Sequence, residues 1–228
     1  MKIGDKPFII AELSGNHSGS LYKAINMIEA AKNAGCDAVK IQTYKPEDLC
    51  DPANNEIYEK SKIPLEWYPM LFETAKRYSI PLFSSVFALW AVEFLEQFNC
   101  PAYKLASPES TRLFNYQGLA VGIKSTAKTF IASTGRRDAA EVLNLRPDYI
   151  LYCVAGYPAK VTDDDIDYLH GRADGFSDHS ADIKTPLAMI AAGARIIEKH
   201  FKLDDDCIDA AFSLNPSQME TLCRIAHR

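Results

Sequence analysis

The sequence predicts a (β/α)8 TIM barrel, and three observations carry that reading. Short β-branched or apolar runs alternate with helix-period segments, eight of each, through the whole chain. Such alternation implies parallel strands joined by right-handed helical crossovers. No break in composition divides the 228 residues, and barrels of this kind commonly run to about 250 residues. The eight units are therefore expected to close as one domain spanning residues 1–228.

The first strand is expected from Phe8 to Glu12, and the helix after it from Leu21 to Ala34, with Ser20 to cap its start and Gly35 to stop it. A second strand runs from Asp37 to Gln42. The longest irregular stretch follows, Thr43 to Pro64, broken by Asp51-Pro52 and Asn54-Asn55; a loop of that length in a compact domain is usually a lid or binding loop. Helix period then resumes from Leu65 to Tyr78. Pro81 and Pro101 stand where strands Pro81 to Ser85 and Ala102 to Ala106 begin, positions at which a missing N–H does least harm. Between them lies the helix Leu89 to Phe98. The pattern continues with helix Asn115 to Ile123, strand Thr129 to Ala132, helix Asp138 to Leu143, strand Tyr149 to Val154 and helix Thr162 to His170. It ends with strand Ala173 to Phe176, helix Thr185 to Ala192, strand Arg195 to Glu198 and helix Ser217 to Ala226.

Apolar residues make up 47% of the chain, enough for a substantial core, and the formal net charge is -5. An acidic chain with no basic face argues against a nucleic-acid partner or an anionic membrane surface. No apolar run approaches the ~20 residues of a membrane-spanning helix. The N-terminus goes straight into a strand and leaves no room for a signal peptide. Six cysteines, at 36, 50, 100, 153, 207 and 223, form no Cys-x-x-Cys pair or zinc-ribbon spacing. Reduced, structural thiols in a cytoplasmic protein are expected.

In a barrel of this class the site is built at the C-terminal ends of the strands. There the sequence puts Glu12, then Lys40 and Gln42 on one strand face, Ser85, Lys104 with Ser107 and Glu109, the Ser133-Thr134-Gly135 turn, Ser177, His179 and His200. The sixth strand, Tyr152-Cys153-Val154, offers little ionisable chemistry. A lysine ammonium inside a barrel needs an anion. For Lys40 that partner is either a buried carboxylate such as Glu198 or, together with Lys104, Ser107 and the Ser133 turn, a bound phosphate or carboxylate. His179 and His200 end neighbouring strands. They are either two separately satisfied histidines or a pair sharing one divalent ion, with Glu12 and Asp178 supplying negative charge nearby. Two imidazoles with oxygen ligands suit Mn²⁺, Co²⁺ or Zn²⁺. His170 and His227 fall on helices as surface residues, and His17 sits in a Gly-flanked loop without an assigned role.

Taken together, these motifs resemble the sialic acid synthase family, the phosphoenolpyruvate-dependent N-acetylneuraminate, legionaminate and pseudaminate synthases. The likeness runs through Ile9-Ile10-Ala11-Glu12-Leu13 with Asn16-His17-Ser18-Gly19, Asp37-Ala38-Val39-Lys40-Ile41-Gln42-Thr43 and Tyr103-Lys104-Leu105-Ala106-Ser107. It continues in Ser133-Thr134-Gly135, Tyr157-Pro158, Ser177-Asp178-His179-Ser180, Glu198-Lys199-His200-Phe201, and Asp209 followed by Ser213-Leu214-Asn215-Pro216. The resemblance implies that Lys40, Lys104, Ser107, Ser133 and Ser177 hold phosphoenolpyruvate, with Ser85 at a family threonine position and Gln42 beside them. It implies a divalent metal on His179 and His200, Mn²⁺ favoured over Mg²⁺, Co²⁺ or Zn²⁺. Glu12 and Asp209 would handle the attacking water, with Lys104 counted among the catalytic groups, while Glu109 and Tyr157 would face an N-acylated mannosamine-like aldose. The product would be a sialic acid-type nonulosonic acid and phosphate, made by a homodimer.

The chain also departs from the family pattern. His-Cys-Thr is replaced by Tyr152-Cys153-Val154, Ser-Thr-Pro-Phe by Ser84-Ser85-Val86-Phe87, and Ala210 follows the aspartate. The family's antifreeze-like C-terminal domain is expected to be missing, so that a partner would have to supply it. Two alternatives stand beside the synthase reading: a phosphoenolpyruvate-dependent synthase of another 2-keto-3-deoxy sugar acid, and a non-catalytic barrel that keeps the metal or phosphoenolpyruvate pocket.

Overall fold

The computed structural model describes residues 3–49, 55–107 and 116–228. Strands β1 (Phe8–Glu12), β2 (Ala38–Thr43), β3 (Leu82–Val86), β4 (Ala102–Leu105), β5 (Thr129–Thr134), β6 (Tyr149–Cys153), β7 (Gly175–Asp178) and β8 (Ile196–His200) are parallel and close in sequence order into a barrel. The closing pair β1–β8 sets Glu12 opposite His200, and β1–β2 sets Glu12 opposite Lys40. The helices are α1 (Leu21–Asn33), α2 (Asn55–Ser61), α3 (Tyr68–Arg77), α4 (Leu89–Glu96), α5 (Tyr116–Ser125), α6 (Ala139–Asn144), α7 (Asp163–Leu169), α8 (Lys184–Ala191) and α9 (Pro216–Ala226). The barrel expected from the alternation is the barrel observed.

Local chemistry explains the boundaries. Ser20 Oγ accepts the Lys23 N–H at 3.2 Å to open α1, and Gly35, at φ +88°, takes the left-handed turn that ends it. Asn215 and Gln218 exchange side-chain and backbone hydrogen bonds at the start of α9, just ahead of Pro216. One continuous core fills the space between barrel and helices, with Ile9, Val39, Ile41, Phe130, Phe176 and Ile197 buried in it. That layer also holds an ion pair, Lys199 with Asp178 at 2.9 Å, both fully buried.

Three aspartates repeat one device at the N-terminal end of the barrel. The Asp37 backbone N–H donates to the Ile9 carbonyl, and the Ile9 N–H donates to the Asp37 carboxylate. Asp148 makes the same reciprocal pair with Phe130, and Asp174 with Ile150. On β7, Gly175 lies so close to β8 that an added Cβ would sit 2.1 Å from the Ile196 carbonyl oxygen.

Several boundaries differ from the sequence expectation. Strands β5, β7 and β8 run on through Thr134, Asp178 and His200 rather than stopping at Ala132, Phe176 and Glu198. Polar residues look like loop in the sequence, but at the C-terminal end of a barrel they stay extended, with alternate ones such as Ser133, Ser177 and His200 facing the cavity. The stretch 43–64 is not wholly irregular: it holds a 3-10 turn at Pro46–Leu49 and helix α2, whose Asn55 start reads as a breaker, while 50–54 lie outside the described residues.

Candidate active site

A cavity of about 490 Å³ opens at the C-terminal end of the barrel. Each strand delivers to it: Glu12 from β1, Lys40 and Gln42 from β2, Ser85 from β3, Lys104 from β4, Ser133 from β5, Cys153 from β6, Ser177 from β7, and Glu198 and His200 from β8. Ser107, Tyr157, His179 and Asp209 reach it from the loops. Thus Glu12, Lys40, Gln42, Ser85, Lys104, Ser107, Ser133, Tyr157, Ser177, His179, His200 and Asp209 share one cavity, as the sequence reading requires. Glu109 lies outside the described residues.

Along the floor, acids and lysines alternate. Lys40 Nζ is 2.5 Å from Glu12 Oε2 and 3.7 Å from Glu198 Oε1, and Lys104 Nζ is 2.8 Å from the same Glu198 oxygen. All four are buried. Burial alone lowers a lysine pKa, but at Lys40 two carboxylates overcome it and the net shift is upward. At Lys104 burial prevails, helped by the Lys40 charge, and the pKa falls despite Glu198. The buried carboxylate expected for Lys40, Glu198, is present, and Glu12 is a nearer one. Around these charges Lys40 donates to Ser85 Oγ at 2.7 Å, Ser177 Oγ donates to Glu198 at 3.0 Å, and Gln42 donates to Glu12 Oε1 at 3.1 Å. Ser133 Oγ and Glu198 Oε2 are buried with no hydrogen-bond partner among the described residues. Such groups are costly unless a ligand meets them.

The two imidazoles stand 5.3 Å apart, centre to centre. His200 Nδ1 lies 3.0 Å from Asp209 Oδ2, and His179 Nδ1 lies 3.7 Å from Cys153 Sγ. Engaging Nδ1 on both rings leaves each Nε2 for a ligand. Burial, with His200 and Lys104 adding to it, drives the His179 pKa well down, so this ring is neutral, the form a metal needs. Burial raises the Asp209 pKa, but the His200 contact outweighs it and the carboxyl stays ionised. These residues fit a divalent ion held by two imidazoles. Among the described residues no group of three metal-ligating side chains comes together, so oxygen from water or substrate would complete such a site. Asp178 does not supply charge here: it points into the helix layer, paired with Lys199 and Ser180. His17, left without a role, is buried, with Nε2 3.0 Å from the Ser61 carbonyl, tying the β1 loop to the end of α2.

Other lining residues were not singled out from the sequence. Leu49, Ile57, Phe87, Ile208 and Phe212 make much of the mouth apolar, and Phe212 packs 4.8 Å from the His200 ring. They lie in loops and short helices whose apolar residues follow no period. Glu198 was legible in a weaker way, since it shares a strand face with His200.

Comparison with known proteins gives the family and the fold. A family model described as the NeuB family matches residues 27–228. The chain belongs to the NeuB family. It is an enzyme of the synthase kind, as its NeuB relatives show. It is 37% identical over 260 residues to the pseudaminic acid synthase of Campylobacter jejuni subsp. jejuni serotype O:23/36, covering 97% of this chain and 75% of that one. It is 31% identical to the N,N'-diacetyllegionaminic acid synthase of C. jejuni serotype O:2, covering 96% and 75%. Among solved structures, the N-acetylneuraminic acid synthetase of Leptospira borgpetersenii superposes with a TM-score of 0.87 at 27% identity, covering 98% of this chain and 84% of that one. Among the described residues no helix is long and apolar enough to cross a membrane.

Proposed function

We propose that this NeuB-family chain condenses phosphoenolpyruvate with an N-acylated mannosamine-like aldose, giving a sialic acid-type nonulosonic acid and phosphate. The observation that carries the reading is one cavity holding two buried lysines beside two imidazoles whose Nδ1 atoms are both engaged. Lys40 and Lys104, with Ser85, Ser107, Ser133 and Ser177, bind the phosphate and carboxylate of phosphoenolpyruvate; the Ser133 hydroxyl, without a hydrogen-bond partner among the described residues, supports this. The lysines reach the ligand by loosening from Glu12 and Glu198. His179 and His200 hold a divalent metal, Mn²⁺ by preference. Bound there, the metal supplies Lewis-acid polarisation of the aldehyde oxygen.

The reaction balances as follows. The methylene carbon of the enol phosphate bonds to the aldehyde carbon, whose oxygen is protonated to a hydroxyl. Water adds to the resulting oxocarbenium carbon, and the C–O bond to phosphate breaks to leave a ketone. Glu12, once Lys40 turns to the ligand, takes the proton of that water. Asp209 contributes through the ring it faces, fixing the His200 tautomer. Tyr157 packs against His179 at 4.5 Å and walls the acceptor side. The apolar mouth favours an acceptor carrying acyl methyl groups over the simpler aldose of another 2-keto-3-deoxy acid synthase, since hydroxyls facing Ile57 or Phe212 would go unpaired.

The test is phosphate release with product mass, using phosphoenolpyruvate, Mn²⁺ and a panel of aldoses. Release is expected only when all three components are present, and more strongly with N-acylated amino sugars than with plain aldoses. No release across the amino sugars overturns the proposal, and equal rates with plain aldoses overturn the acceptor assignment.

A further inference from the structure

We propose that Asn16, in the loop after β1, is a positioning residue that holds the Asp209 carboxylate behind the His200 imidazole. The inference rests on the metal reading of the two histidines given above. Asn16 is fully buried. Its Oδ1 accepts the Asp209 backbone N–H at 2.9 Å, while its Nδ2 donates to the Phe201 carbonyl at 2.8 Å and to Ser213 Oγ at 3.0 Å. Ser213 Oγ in turn donates to the Asp209 carbonyl at 2.7 Å. One primary amide therefore joins three points of the excursion in which the chain leaves β8 and returns. These are the residue directly after His200, the residue that bears the carboxylate, and the residue at which the excursion closes.

The need for such a brace follows from what surrounds it. Asp204, Asp205 and Asp206 at the far end of the excursion are exposed. Lys23 and Ser18 tie that end down through Asp204 and the Asp206 carbonyl. Those contacts do not reach the Asp209 peptide. Asn16 does, and with both a donor and an acceptor it uses three of the four hydrogen bonds an amide can make. A carboxylate on Nδ1 selects the tautomer whose Nε2 lone pair faces a metal, and such outer partners are worth about 10- to 100-fold in metal affinity. Asn16 acts one step further out, by fixing where that carboxylate stands.

A double-mutant cycle on Mn²⁺ binding separates this role from general bracing of the loop. The Mn²⁺ dissociation constant is measured by calorimetry for wild type, Asn16→Ala, Asp209→Asn and the double variant, with melting temperatures of the metal-free proteins alongside. Asn16→Ala is expected to weaken Mn²⁺ about 10- to 100-fold, and the double variant to be no weaker than the worse single one. Ser213→Ala, which removes one arm of the brace, is expected to show a smaller loss with the same non-additivity, and it serves if Asn16→Ala does not fold. Losses that multiply, or an Asn16→Ala protein with a lower melting temperature and unchanged Mn²⁺ affinity, overturn the inference. Wild type that takes up no Mn²⁺, or a His179→Ala/His200→Ala protein that binds it as wild type does, sinks the metal reading instead.

Discussion

Replacing Glu198 by glutamine removes one charge from the cavity floor and almost no volume. The carboxylate is 2% exposed and faces Lys104 at 2.8 Å and Lys40 at 3.7 Å. Two lysines and two glutamates cancel there, and without Glu198 one buried ammonium loses its counter-charge. Breaking a buried ion pair from one side costs about 3–5 kcal/mol. For a chain of this size each kcal/mol moves the melting temperature by about 2–4 °C, so a fall of roughly 6–20 °C is expected. The same change leaves the cavity with an extra positive charge, and an anion should then stabilise the variant more than it stabilises wild type. Differential scanning fluorimetry with and without phosphoenolpyruvate, free of metal and aldose, reads both effects. A Glu198→Gln protein that melts with wild type and gains nothing extra from the anion would refute the balanced-charge account.

Two further predictions concern the scaffold. Gly175→Ala places a Cβ against the Ile196 carbonyl, a contact backbone cannot yield cheaply, so urea denaturation should show a loss of about 1–3 kcal/mol or more; a neutral substitution would mean β7 and β8 can separate there. Burial raises the Asp165 pKa, but hydrogen bonds from Tyr152 and Thr162 and the Arg136 charge outweigh it, and the folded value lies below 3.8. A depressed folded pKa gives stability that is fully present above the unfolded value and is lost as pH falls through the folded one. The stability gap between wild type and Asp165→Asn should therefore hold steady from neutral pH to about 5 and close below about 4, and a gap that widens in acid would contradict it.

The barrel was legible because alternation of element type survives errors in any one boundary. The candidate site was legible because strand-end residues of unusual cost, such as Lys40, Lys104 and His200, cluster where a barrel makes room for them. What the sequence concealed was partnership. Glu198 could be named as a counter-ion for Lys40, but not that Glu12 lies nearer and that Lys104 shares the same oxygen. Asp178 looked like part of the histidine site and faces the other way, because neighbours along a strand point to opposite sides. Asn16 and Phe212 depend on loops far apart in sequence, and no local pattern connects them to His200. Helix α2 went unread because Asn55 reads as a break in the sequence and begins a short helix.

The reciprocal aspartates at the N-terminal end bear on chemistry at the opposite end. In a parallel barrel a slip of one residue between neighbouring strands exchanges the side chains facing the interior with those facing the helices. Were β2 displaced by one step, Val39 and Ile41 would enter the cavity and Lys40 and Gln42 would be driven into the helix layer. Asp37, hydrogen-bonded to Ile9 in both directions, allows a single alignment of β1 with β2, and Asp148 and Asp174 do the same for the β5–β6 and β6–β7 seams. Three carboxylates outside the cavity therefore set the parity of its rim. A substitution at Asp37 removes the carboxylate half of the reciprocal pair with Ile9 that holds β2 in this alignment.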